Sequence, residues 1–413
     1  MNLLAPTLLL LPSTLIAQIG GTGKDGVFDP QVSGTIPTTY IPEFHFKSVR
    51  IRKGITMTAV GSRPLVIRCQ GTVQIDGELL ADGSITPGGT QPGKGGPGGY
   101  DGGLGSNPSL SAMTGKGPCG GAGAVPSGWG QTTFPGGQGL NAGCSGSQFP
   151  FSMTGGSGGG GGNDKYWTYP SGGSGGGGVI VILADGAVQI GGLISASGAP
   201  SRSIHVFPNP PVVVTIGGRG AGGSILMRSM TSIQTGPSSL ILAEGSTQYP
   251  ATSLYQPIDR WKPLPFWGRS TNVGYIRFDV VGGTPILNGV VFPKPSIYSL
   301  PAQDIPQGPV LGKTWSIRVA GRQGDLAAIF WSWGLKRVNA PPFGTLELDL
   351  SNGFILAGAL AIPSTGLDPV GVASFYSGQD TTLIGRALHA QSLTLGLTGA
   401  KPRLTNVSST KFQ

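Results

Sequence analysis

In the N-terminal part of the chain, apolar and polar residues alternate in short bursts, and the bursts recur as a motif. LVIRCQGTVQIDGELLADG, Leu65 to Gly83, aligns with IVILADGAVQIGGLISASG, Ile180 to Gly198. Each carries a run of branched residues, a glycine, a second short run (Val73-Gln74-Ile75 against Val188-Gln189-Ile190) and a third run closing on glycine. A looser copy spans Ile225 to Gly245, with Ile233-Gln234 in the matching place, and a fourth begins in YIRFDVVGGTPILNGVVF, Tyr275 to Phe292. FKSVRIRKGITMTAV, further upstream, reads as two strands split by a Lys-Gly turn. Alternation with period two predicts strands, and glycine or polar residues between them predict turns.

Three short strands per repeat predict a parallel β-helix, in which each coil places one strand on each of three sheets. A single repeat cannot bury its own apolar face, and only the stack does so. The expected inward column is Leu65, Ile67, Val73, Ile75, Leu79, Ile180, Ile182, Val188, Ile190, Ile194, Ile225, Met227 and Ile233. A β-sandwich built from the same strands is the competing arrangement.

Two glycine-rich insertions interrupt the repeats, at 84–178 and 199–223. Each ends in a glycine run directly before the first strand of the next repeat, SGGGG-VIVIL and GAGG-SILM. A linker need not end the same way twice, so the insertions belong to the domain. Glycine helices of the polyproline II type have three residues per turn and no internal hydrogen bonds, so they need neighbours to satisfy their backbone. Packed glycine helices and a mobile loop both remain open for these runs. Between two of them lie Tyr166, Trp167 and Tyr169, and exposed flat rings of this kind stack on sugar faces or anchor interfaces. Capping of the apolar stack is the alternative role for them. It is the preferred one for Trp261, Phe266 and Trp267.

The fold class expected is therefore all-β: a parallel β-helix over 18–298 with glycine-rich insertions, a strandless connector over 299–308 (SLPAQDIPQG), and an antiparallel β-sandwich over 309–413. Trp331 and Trp333 are expected in the sandwich core. Residues 1–17, apolar but short and proline-broken, read as a secretory signal; a buried first strand is the other option. No second long apolar segment follows, so no membrane span is expected after its removal.

Composition sharpens this picture. Glycine and proline number 75 and 35 of 413 residues, which suggests low complexity, yet 38% of residues are hydrophobic and 11% charged, the opposite of a disordered chain. The net charge of +9 is spread out rather than gathered in one run, so nucleic acid is not expected as a partner. Of three cysteines, Cys119 and Cys144 sit in the glycine-rich region, where a cross-link would remove about 3 kcal/mol of chain freedom. A Cys119–Cys144 disulfide is expected, with Cys69 a buried thiol. The spacings match no zinc site, and no metal or cofactor is expected.

The order of strand, VQI, closing glycine, glycine-rich insertion, GGSGGGG and VIVILAD, over Phe46 to Gly245, resembles exported bacterial glycine-rich β-helix proteins. By composition it is also similar to the adhesin tips of some phage tail fibres, in which polyglycine helices pack as a sandwich. The C-terminal strings LGKTWSIRVAG, IGRALHAQSLTLGL and LTNVSSTKF resemble a small domain on secreted proteins of planctomycete-type bacteria. These likenesses imply a secreted or cell-surface location and supply no catalytic motif.

Parallel β-helices also host polysaccharide lyases and hydrolases, which need convergent carboxylates. Asp82 and Glu244 fall in one register, with Ser197 between them, while Asp76 and Glu78 sit on a turn. GGTGKDG, Gly20 to Gly26, lacks the spacing and the hydroxyl residue of a phosphate loop. His45, His205 and His389 have no nucleophile signature nearby. The expected function is that of a non-catalytic extracellular structural or adhesive protein, with self-association or glycan contact, and no catalytic residues are assigned. A carbohydrate-active enzyme is the runner-up.

Overall fold

The computed structural model describes residues 20–85, 90–106, 111–123, 133–134, 153–164, 171–200, 203–205, 214–245, 273–281, 284–305, 308–321, 325–341, 343–362, 370–395 and 402–413. The chain divides into two compact units, with the boundary between Leu300 and Pro301.

The first unit is built on three parallel six-stranded sheets, an arrangement that fits a parallel β-helix rather than a sandwich. The first sheet stacks Val27–Phe28, Ser48–Ile51, Val73–Ile75, Val188–Ile190, Ile233–Thr235 and Ile286–Leu287. The second stacks Gly34–Pro37, Thr56–Val60, Glu78–Leu80, Leu193–Ser195, Leu240–Leu242 and Val290–Phe292. The third stacks Phe44–Phe46, Leu65–Cys69, Val179–Ala184, Ser224–Ser229, Tyr275–Val281 and Ser296–Leu300. The chain visits the sheets in turn, so each coil adds one strand to all three.

Register follows the repeat alignment. Val73, Val188 and Ile233 are paired across neighbouring strands, as are Leu65, Ile180, Ile225 and Ile276. All thirteen residues of the expected inward column lie in one buried core. Alternation puts every second side chain on that core, and a slip of one residue would expose the whole set. The third sheet departs from simple alternation, since Val66, Arg68, Val181, Leu183, Leu226, Arg228, Arg277 and Asp279 on its other face are buried too. A strand buried on both faces reads as a continuous apolar run, as VIVILA does. Two guanidinium groups on that face share one carboxylate: Asp279 accepts from Arg228 Nη2 at 2.6 Å and from Arg277 Nε at 2.7 Å. Cys69 is a free, buried thiol whose Sγ lies 3.7 Å from Lys47 O and 3.6 Å from Thr72 O.

The second unit consists of antiparallel sheets. Ala302–Asp304, Thr314–Ala320 and Val370–Tyr376 form one; Ile355–Ala361, Leu326–Ser332, Ala387–Leu395, Arg403–Leu404 and Ser408–Lys411 form another; Leu335–Ala340 and Gly344–Leu348 make a hairpin. Trp315, Ile317, Val319, Ile329, Leu388 and Phe412 are among its core residues, with Trp331 and Trp333 packed against them. The segment expected as a strandless connector carries strand residues in its first half. Ser299 and Leu300 finish the last strand of the third parallel sheet, and Ala302–Asp304 already pairs with Thr314–Ala320. The apolar residues Leu300 and Ile305 within SLPAQDIPQG are therefore part of strands and core, not a spacer.

Candidate functional site

Insertions leave the coil at one corner, between the second and third sheets, on three successive coils: after Leu80, after Ser195 and after Leu242. Their outgoing limbs extend the hydrogen bonding of the second sheet. Ala81 N donates to Ser195 O (2.7 Å), Gly83 N to Ser197 O (2.9 Å) and Gly198 N to Glu244 O (2.8 Å). Each returning limb bonds back to its own outgoing limb: Gly178 N to Ala81 O, Gly223 N to Ala196 O and Gly274 N to Ala243 O.

The limb from Ser171 to Gly178 shows what the glycines do. Gly173 and Gly176 donate to Gly103 and Tyr100; Ser174 and Gly177 donate to Gly218 and Ala221; Gly175 and Gly178 donate to Ser84 and Ala81. The donor direction returns to the same neighbour every third residue, as it must in a helix with three residues per turn. None of the glycines from 172 to 178 has a positive φ, in keeping with the polyproline II hand. Its carbonyls accept from three further neighbours, through Gly93 and Gly96, Gly156 and Gly159, and Ala199. The limb therefore has six bonded neighbours, a hexagonal bundle in which the backbone satisfies itself.

Side chains are excluded by distance, not by dihedral angle. A Cβ on Gly173 would sit 1.9 Å from Gly159 O, on Gly175 1.9 Å from Lys94 O, and on Gly176 1.9 Å from Gly156 O. Hydroxyl residues within two of the glycine limbs fall three apart: Thr154 and Ser157 in one, Ser171 and Ser174 in another. Ser157 Oγ accepts from Cys119 N at 3.2 Å, and Ser174 Oγ donates to Pro200 O at 2.5 Å. This spacing, present in SGGSGGGG (171–178), is the sequence signal that the runs are packed helices: i and i+3 face the same gap.

At about 3.1 Å per residue, Ser171 stands roughly 22 Å out from the strand that Gly178 enters. Gly162 and Ser171 form an antiparallel bridge at that far end. Beyond it, Asn163–Asp164 pairs with Thr133–Phe134, and the hairpin of Ser203–His205 with Val214–Ile216 packs beside them. Tyr166, Trp167 and Tyr169 lie outside the described residues, but their flanks, Asp164 and Ser171, sit at this end. Cys144 also lies outside the described residues, as do Trp261, Phe266 and Trp267, residues 1–17 and much of the two insertions. The Cys119–Cys144 bridge therefore stays an expectation.

Near the base of the bundle, Asp101 ties two limbs together. Its carboxylate accepts from Gly95 N at 3.0 Å and lies 3.3 and 3.2 Å from Lys94 and Lys116 Nζ. Burial pushes the Asp101 pKa up, but the Gly95 amide and the two ammonium groups outweigh it, so it lies below the usual value. Asp76 and Glu78 are ordinary polar corners, accepting from Gln74 Nε2 (2.7 Å) and Thr56 Oγ1 (2.8 Å). His45 Nδ1 accepts from Thr22 N, and burial depresses its pKa against the pull of Glu43. His389 Nδ1 lies 2.8 Å from the Ser409 hydroxyl, in the other unit. His205 lies in the hairpin at the far end of the bundle. Gly20 to Gly26 form a turn leading into Val27–Phe28, with no helix after it. Among the described residues, no three His, Cys, Asp or Glu side chains converge as a metal site would require. No helix there is long and apolar enough to cross a membrane.

Comparison with known protein families, curated proteins and solved structures finds no significant match. The reading of the site rests on its own geometry.

Proposed function

We infer that the chain is a non-catalytic structural or adhesive protein of the extracellular surface, with the β-helix as its body and the glycine bundle as a stiff mount for the loops at its far end. The observation carrying this reading is the limb with six bonded neighbours. A surface-binding protein must hold its contact residues against solvent forces, and a bundle hydrogen-bonded on every side loses little further entropy when those contacts form. Flat aromatic side chains between Asp164 and Ser171 supply the contact chemistry.

Open coil ends favour self-association as a second form of the same role. Among the described residues, each strand of the first and last coils pairs with another strand on one side only, and Asp25 covers part of one such edge by donating to His45 O (2.9 Å). Such edges are templates for another chain. The test is binding of the intact protein to a bacterial surface or glycan array, compared with Trp167→Ala. A loss of at least tenfold with unchanged circular dichroism supports the adhesive reading, and unchanged binding refutes the role of Trp167. Regular assemblies in negative stain support the self-associating form, and strictly monomeric protein at high concentration removes it.

A further inference from the structure

A cleft of about 1180 Å³ lies in the inside corner where the bundle leaves the second sheet. Its floor is the outer face of that sheet, organised in two columns. One runs Thr58, Leu80, Ser195, Leu242 in pairing register. The other continues each strand by two residues, as Val60, Asp82, Ser197 and Glu244. The facing wall is the base of the bundle, with Pro97, Tyr100 and Pro200 among its residues. Four rungs at about 4.8 Å spacing make the floor roughly 14 Å long.

The floor alternates apolar ledges with hydrogen-bonding groups. Asp82 is fixed in place, since its Oδ1 accepts from Ser195 Oγ at 2.5 Å and from Ser197 N at 2.6 Å. Ser195 and Ser197 hydroxyls are 3.0 Å apart. Two rungs from Asp82, Glu244 is half-buried, and burial raises its pKa. A cleft with apolar ledges and a few convergent polar groups is the general form of a ligand site.

The geometry points to a neutral, hydroxyl-rich chain, a polysaccharide strand lying along the solenoid axis, as the occupant of this cleft. Hydroxyl groups of such a ligand donate to the Asp82 and Glu244 carboxylates, while the half-exposed Leu242 and Tyr100 cover its C–H faces. A repeating floor suits a repeating ligand. Two carboxylates on the floor disfavour a polyanion, and the nearby lysines, Lys94 and Lys116, already face Asp101. This site lies at the root of the bundle and does not depend on the aromatic residues between Asp164 and Ser171 in sequence.

The test is calorimetric titration of the full chain with cellohexaose, xylohexaose, mannohexaose, hexagalacturonate and hexalysine. Binding of at least one neutral hexasaccharide is expected. It should weaken at least tenfold in Leu242→Arg, which fills the cleft from a half-exposed position, and severalfold in Glu244→Gln. Trp167→Ala should leave it unchanged, whatever that variant does to surface adhesion. Hydrogen exchange of the segment from Leu193 to Ser197 should slow when the neutral sugar is bound, a readout independent of any variant's folding. The assignment is overturned if no neutral probe binds at millimolar concentration, if Leu242→Arg binds as well as wild type, if Trp167→Ala abolishes the binding, or if hexalysine or hexagalacturonate binds more tightly.

Discussion

Gly176→Ala separates a packed glycine bundle from a mobile loop by the sign of its effect. In a loop, alanine restricts the unfolded chain and stabilises by about 0.4–1 kcal/mol where the backbone is compatible. In the bundle, the new Cβ lies 1.9 Å from Gly156 O, 2.3 Å from Gly156 C and 2.8 Å from Ser157 O. Real Cβ contacts are essentially never under 3.0 Å, so the limb from Gly156 must retreat by more than an ångström. That retreat stretches Gly156 N to Gly177 O (2.8 Å) and Gly159 N to Ser174 O (2.9 Å) beyond hydrogen-bonding distance. Both bonds are buried, and each buried polar group left without a partner costs about 1–3 kcal/mol. With four polar groups in the two bonds, and half of them taking water as partner when the limb opens, the net expectation is a loss of about 2–6 kcal/mol. Gly236→Ala is the control: its new Cβ meets nothing nearer than 3.6 Å, and the change should stay within about 0.5 kcal/mol.

Thermal denaturation reads the overall effect, and hydrogen exchange of peptides covering 153–162 and 171–178 reads it locally. The second readout matters because a limb can open without unfolding the coil. Faster exchange across both segments with a lowered melting temperature is expected for Gly176→Ala. A variant that melts at or above wild type with unchanged exchange would refute the six-neighbour packing.

Asp279→Ala should lower the stability of the first unit by about 3–5 kcal/mol, read from the denaturation midpoint, because it removes the carboxylate shared by two fully buried guanidinium groups. Glu244→Gln should raise the melting temperature at neutral pH. Burial lifts the Glu244 pKa above the ordinary 4.5, so its contribution to wild-type stability is fullest below that value and declines as pH rises through the folded pKa. The difference between variant and wild type should therefore vanish below pH 4.5. Cys69, whose pKa burial pushes up, should resist a thiol reagent in the native protein. Unfolding without reductant should then expose one thiol per chain if Cys119 and Cys144 are bridged, and three would rule the bridge out.

The coil was legible because its signal is periodic and redundant. Val73-Gln74-Ile75 and Val188-Gln189-Ile190 announce the same strand, and stacking them in register buries the same positions. The insertions were legible in place but not in structure. Alternation of apolar residues marks strands, whereas a polyglycine helix has no apolar period to show. Its only mark is the spacing of the exceptions, Thr154 to Ser157 and Ser171 to Ser174. The second face of the third sheet was missed for a different reason: Arg228, Arg277 and Asp279 look like solvent-exposed polar positions until their mutual pairing is seen. The cleft was half visible. Asp82, Ser197 and Glu244 share a register in sequence, but its facing wall comes from Pro97, Tyr100 and Pro200 in the insertions, which no strand pattern places.

The insertions use glycine because they carry the lattice of the coil outward. Strands of the solenoid stack about 4.7–4.9 Å apart, a spacing set by the N–H to O=C bond between them. Glycine helices bonded by the same pair of groups meet the same constraint, so three successive strands of the second sheet can each run on into the bundle without a break in bonding. A side chain at a glycine position of the central limb would force the helices apart and break that match, as the 1.9 Å approaches at Gly173, Gly175 and Gly176 show. Ordering glycine costs more backbone entropy than ordering any other residue, and a lone polyglycine helix recovers none of it. Each limb is stabilised only by its neighbours, the central one by limbs from the coils that start at Val73 and Val188. Bundle and coil must therefore form together: truncating the insertion of one coil should loosen the limbs contributed by the next, even where no side chain connects them.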